Sequence, residues 1–175
     1  GFAIISMLLV VLDAFVLKGK LMPFIVSPTT QDFNLKNPLS YFKIIFHIFG
    51  AQTSKPGIFL WLYAVVFVVY SGQEAEKTYG TVFLGIMAVL SSVFSGVLAA
   101  CFLESPISSA IPVAFLLCFL TFFANLKKNT LVLSSIIILA AVCAFDFIIT
   151  EKVLVLAIDA AGGLCGSLLS FMAVP

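Results

Sequence analysis

The chain has 175 residues, 62% of them hydrophobic and only 10% charged, with a mean hydropathy of +1.23. Soluble domains run nearer 45–50% apolar and about 25% charged, so that class is excluded, as are disordered, collagen-like and disulfide-stapled chains. The formal net charge of +1 rests on lysine alone, with no arginine, which leaves no bidentate phosphate clamp and no basic footprint for nucleic acid.

What remains is an all-α polytopic membrane protein. At about 20 residues per spanning helix, the length allows five to seven spans in a single membrane domain over 1–175. The apolar run begins at Phe2, as expected of a trimmed N-terminus.

The first apolar segment covers Phe2–Leu17 and stops at Lys18-Gly19-Lys20. A long connection, Leu21–Gly57, follows, broken by Pro23, Pro28, Pro38 and Pro56. Within it, Leu39–Phe49 is apolar enough to lie in a membrane interface. The second segment is Ile58–Ser71, ended by the turn Gly72–Gly80, and the third is Thr81–Phe102. The fourth is Pro106–Ala124, followed by a polar turn at Asn125–Asn129. Thr130–Ile149 is the fifth and Val153–Val174 the sixth, with Thr150-Glu151-Lys152 between them. Among the short loops, Lys77, Lys127 and Lys128 oppose Lys152, which places both termini in the cytosol. The lysines of the long first loop argue the other way, and long loops count for less.

A charge in the hydrocarbon core costs at least about 2.5 kcal/mol, so intramembrane acids are the first functional candidates. Asp13 and Asp146 lie near segment ends, where a cap or an interfacial position suffices. Asp159 lies deeper, in Asp159-Ala160-Ala161-Gly162-Gly163-Leu164-Cys165-Gly166, where small residues admit a neighbouring backbone. It fits a polar contact to a facing helix, or ligand and proton handling. Gly162 and Gly166 form a G-x-x-x-G pair suited to helix packing or to binding a partner helix. The four cysteines are spread singly through apolar runs and read as packing residues, and no metal or cofactor is called for. His47 reads as an interfacial polar group. Ser91, Ser92 and Ser95 read as membrane serines bonded to the preceding turn.

The order of these features resembles the rhomboid superfamily. Gly72-Gln73-Glu74-Ala75-Glu76-Lys77-Thr78-Tyr79-Gly80 is similar to its glycine–glutamate–glycine turn, with Gly72, Glu76 and Gly80 as the structural residues. Ser95-Gly96 falls where active members carry a Ser-Gly pair. Phe42–His47 resembles the family's Trp-Arg…His stretch in the first loop, and Asp159–Gly166 its His-x-x-Gly-x-x-x-Gly signature. The resemblance implies a six-helix bundle with a half-embedded first loop. The departures fall on the chemistry. Ile111 occupies the nucleophile position, Asp159 the histidine position, and Leu60 and Ala64 the oxyanion-stabilising positions. The resemblance therefore implies a pseudoprotease, not an enzyme, resident in a bacterial inner membrane or a eukaryotic organelle membrane. Proteolytically dead relatives bind transmembrane clients or serve as subunits of membrane complexes. The expected partners are thus membrane lipids and the transmembrane helix of a client. Two alternatives stand beside this one. The first is a divergent intramembrane serine protease using Ser108 or Ser109. The second is a small transporter or channel subunit in which Asp159 binds a proton or cation.

Overall fold

The computed structural model describes residues 1–51, 55–107, 110–123 and 153–173, with 137, 139–141, 143–145 and 147–148 between them. Every regular element among them is helical. Helix α1, Phe2–Leu12, continues into a π-helical turn, Asp13–Leu17, and ends where Lys18 and Gly19 take positive φ. The remaining helices are α2 (Pro38–Phe46), α3 (Lys55–Tyr79), α4 (Thr81–Phe102), α5 (Ile111–Phe123), α6 (Val153–Leu168) and the short α7 (Ser170–Ala173).

Two stretches are long and apolar enough to cross a membrane, Thr81–Phe102 and Val153–Met172. The expected six spans reduce to these two among the described residues. The fifth segment falls largely outside them, and the first and fourth are shorter apolar helices.

Helix boundaries depart from expectation at two places. The second segment does not stop at Ser71, because α3 runs on to Tyr79 with Gly72 and Glu76 inside it. One interior glycine costs about 1 kcal/mol, and the following Gln-Glu-Ala-Glu-Lys run favours helix. Lys77 also pairs with Glu74 at 3.1 Å one turn away. The turn is made by Gly80 alone, at φ +79°, a conformation that any side chain would strain. Glu76 braces it twice: its carbonyl accepts from Gly80 N, and its carboxylate accepts from the Thr81 hydroxyl. The fourth segment starts at Ile111, with Pro112 in its first turn, where the missing N–H costs nothing. The residues before it are drawn off to the first loop. Ser27 N donates to Ile107 O, Ile107 N donates to Ser27 Oγ, and Thr30 N donates to Leu103 O.

The first loop turns inward. Asn37 caps α2 by accepting from Leu39 N, and Pro38 opens the helix. The 3-10 turn His47–Phe49 then packs on the start of α1, with the Phe2 and Phe49 rings 4.9 Å apart. Ser6 Oγ donates to Phe49 O and accepts from Trp61 Nε1, both at 2.8 Å, so one buried hydroxyl joins α1, the loop and α3. At about 1.5 Å per residue, Ser6 lies roughly 16 Å along the helix from Leu17. The loop therefore reaches well into the bundle.

Candidate functional site

Three buried serines share one face of α4. Ser91, Ser92 and Ser95 are fully buried, and each hydroxyl reaches out of its own helix or along it. Ser91 Oγ donates to Pro112 O at the start of α5, at 3.2 Å. Ser92 Oγ meets Ile45 O at 2.5 Å and Ile44 O at 3.2 Å, two carbonyls at the C-terminal end of α2. The last carbonyls of a helix have no partner within it, and a buried end needs one from elsewhere. Ser92 supplies it. Close approach is permitted by Gly96, where a Cβ would sit 2.6 Å from Ile44 O.

His47 completes this junction and corrects its expected place. It is not an interfacial edge group but fully buried. Nδ1 lies 2.9 Å from Ile44 O; a carbonyl can only accept, so Nδ1 carries the proton. Nε2 then presents a lone pair 3.1 Å from Ser95 Oγ. The Ser95 hydroxyl has one proton and two acceptors in reach, Nε2 and, at 3.2 Å, Ser92 O. Burial holds the His47 pKa down to about 4, against the smaller opposing pull of the Ile44 and Lys43 carbonyls. The imidazole is therefore neutral at ordinary pH. A serine within bonding distance of a histidine was not legible in the sequence, because the partners are 48 residues apart on elements of different kind.

The glycines of α6 face inward. A Cβ on Gly162 would lie 2.7 Å from Ser95 Cβ and 2.8 Å from Ser91 O, and one on Gly166 2.6 Å from Met87 O. The pairings step in opposite directions, so α6 runs antiparallel to α4. Gly163 turns to α5, where its Cβ would meet Phe115 Cβ at 2.5 Å and Leu116 N at 2.6 Å. These residues seat α6 in the groove between α4 and α5. Of the two roles expected of Gly162 and Gly166, this geometry is helix packing, with their closest neighbours on α4 of the same chain. Asp159, one turn earlier, is fully buried, as is Ile111 at the head of α5. Neither lies on an outer face.

The other expected sites stand apart. Asp13 is buried at the end of its segment, and its carboxylate accepts from Leu21 N at 2.6 Å, closing the turn after α1. Gly72, with only Leu117 Cδ1 at 3.9 Å, has room for a side chain. Ala64 is fully buried in α3. Ser108, Ser109 and Asp146 lie outside the described residues. Among the described residues no group of His, Cys, Asp and Glu is placed to hold a metal.

Chemically, the junction of α2, α4 and α6 offers a Ser–His contact and the carbonyls of Ile44 and Ile45, which join α2 to its neighbours, with that of Ser92 accepting along α4. Comparison with protein-family models, with curated proteins and with solved structures finds no match to this chain.

Proposed function

We propose that the chain is an integral membrane protein of rhomboid-like design that cuts no peptide bond and instead binds a transmembrane helix, as a client receptor or a subunit of a larger complex. The observation that carries this reading is Ile111: the position expected of a nucleophile holds a fully buried hydrocarbon at the head of α5. The membrane part is supported by large apolar side chains left exposed on several helices, such as Phe59, Val66, Val82 and Leu168. In water they would be a liability; in lipid they are the expected outer surface. Because the α6 glycines are spent inside the bundle, the docking surface falls on outward residues such as Leu164 and Leu168. The test is purification in mild detergent with photo-crosslinking groups at these two positions, alongside a cleavage assay on a transmembrane reporter. Stoichiometric crosslinking to one membrane protein and an intact reporter support the reading. Cleavage of the reporter, or crosslinks to lipid alone, refute it.

A second reading has one observation in its favour, the 3.1 Å contact of Ser95 Oγ with His47 Nε2. Serine hydrolysis needs such a pair, but also an accessible hydroxyl and donors for an oxyanion. Ser95 and His47 are both fully buried, and the Ile44 and Ser92 carbonyls beside them are acceptors, not oxyanion donors. Covalent labelling by a fluorophosphonate probe, abolished in Ser95→Ala, would establish this reading over the first.

A further inference from the structure

Helix α2 carries apolar side chains on its outer side. Ser40, Ile44 and His47 face the bundle, while Leu39 and Phe42 are exposed on the opposite side, and the Phe42 and Phe46 rings stack at 4.3 Å. Phe24 and Leu35, earlier in the same loop, are 49% and 71% exposed. An amphipathic surface helix would show water a polar face; this one exposes Leu39, Tyr41 and Phe42, with Lys43 half-buried beside them and Lys36 just before its start. Lys18, Lys20 and Lys36 are exposed and Lys43 is half-buried, and none forms an ion pair with a described residue. Asp13, Asp32 and Glu104 share this end of the bundle, against Lys18, Lys20, Lys36 and Lys43, leaving lysine in excess by one. The far end, around Gly80, carries Glu74 and Glu76 against Lys77. Long lysine side chains beside apolar surface keep their stems in hydrocarbon and their ammonium groups at the boundary.

Resting on the membrane reading above, we infer that the first loop is a collar that binds the headgroups of anionic phospholipids, with Leu39, Phe42 and Phe46 set among the acyl chains and Lys18, Lys20, Lys36 and Lys43 meeting the phosphates. The occupant is lipid rather than free phosphate because the cations come with exposed apolar side chains that a soluble anion would leave in water. The collar is held at fixed height by the pins already described: Ser92 and His47 fix the end of α2 to the bundle, and Asp13 fixes the turn that bears Lys18 and Lys20. A lysine near an anionic surface contributes about fivefold in affinity, so four give at least about tenfold after screening by salt.

The full chain is reconstituted in nanodiscs of phosphatidylcholine and phosphatidylglycerol, extracted into mild detergent, and the retained lipids are counted by native mass spectrometry. Phosphatidylglycerol is expected to be enriched at least tenfold over its share. The enrichment falls toward unity in the variant with all four lysines changed to glutamine, and in part in the Lys18→Gln/Lys20→Gln and Lys36→Gln/Lys43→Gln pairs. Lys77→Gln leaves it unchanged. Molar salt lowers wild-type enrichment, and millimolar glycerol phosphate does not compete. Equal enrichment in wild type and the four-lysine variant overturns the inference, as does a loss with Lys77→Gln of the same size. Release of the chain from membranes by alkaline carbonate would instead overturn the membrane reading, and this inference with it.

Discussion

The seating of α6 can be tested by one methyl group placed at two sites. In Gly163→Ala the new Cβ would stand 2.5 Å from Phe115 Cβ and 2.6 Å from Leu116 N, both fixed to the α5 backbone. Ordinary contact needs about 3.4–4 Å, so the two helices must separate by roughly an ångström. Separation loosens the whole α5–α6 groove, and such overpacking costs about 1–3 kcal/mol. In Gly72→Ala the new Cβ finds only Leu117 Cδ1, at 3.9 Å, within an unbroken helix. There alanine should stabilise by roughly 0.5–1 kcal/mol, through helix propensity and lower unfolded-state entropy. The two variants carry the same chemical change, so detergent effects cancel in their difference. Thermal unfolding in micelles, followed by circular dichroism, reads it at about 2–4 °C per kcal/mol. Gly163→Ala should melt several degrees below wild type and Gly72→Ala at or slightly above it. Equal midpoints would refute the inward seating of Gly163.

Three further outcomes follow from the buried polar contacts. Ser6→Ala leaves Phe49 O and Trp61 Nε1 without their shared partner and should cost about 1–3 kcal/mol, while Ser6→Thr, which keeps the hydroxyl, should recover part of it; thermal melts of the two variants decide. Ser92→Ala strips the α2 end of its outside donor, so it should raise hydrogen exchange across 38–49 well above that in α4; unchanged exchange there would count against the pin. His47 has a folded pKa of about 4, below its ordinary 6.5, so the unfolded chain binds the proton first as pH falls. Its contribution is present in full above about pH 6.5 and is lost progressively toward pH 4, by roughly 3 kcal/mol. Stability measured from pH 8 to 4 should therefore fall more steeply in wild type than in His47→Gln, and parallel curves would remove His47 from the account.

The all-helical class and the ends of the third segment were legible because nothing in Thr81–Phe102 competes with helix and Gly80 marks its start. Gly72 and the charged residues after it look alike as chain breakers in sequence, which puts the expected turn earlier than the structure does. In fact Glu74, Glu76 and Lys77 support helix, and the chain turns only where φ becomes positive. That Gly162 and Gly166 pack closely was readable from spacing; which neighbour they pack against was not, since an inward and an outward glycine stripe look alike in sequence. The burial of His47 is hidden for a related reason. Lying beside Lys43 in an amphipathic stretch, it has the pattern of an edge residue, and its burial comes from the whole loop folding inward onto α4, a long-range event with no local signal.

The committed polar seam limits how a client helix of the proposed kind can bind. Entry between α4 and α6 would have to displace backbones already in contact at Gly162 and Gly166, and entry between α2 and α4 would strip Ser92 and His47 from carbonyls that have no water to turn to. The first exchange gives up close packing, and the second leaves buried polar groups unpaired, at about 1–3 kcal/mol apiece. Docking on the outer faces incurs none of these losses. There, however, lipid competes on equal terms with an apolar partner, and affinity has to come from close packing or a polar contact rather than from burial alone. The outward faces of α4 and α6 carry medium and large apolar side chains, Val89, Phe94, Leu164 and Leu168 among them, rather than a smooth small-residue groove. A helix recognised on such a surface must bring its own small residues. Clients should therefore be selected by a glycine- or alanine-rich stripe in their spans, and replacing that stripe with leucine should abolish crosslinking from position 164 while leaving the fold of this chain intact.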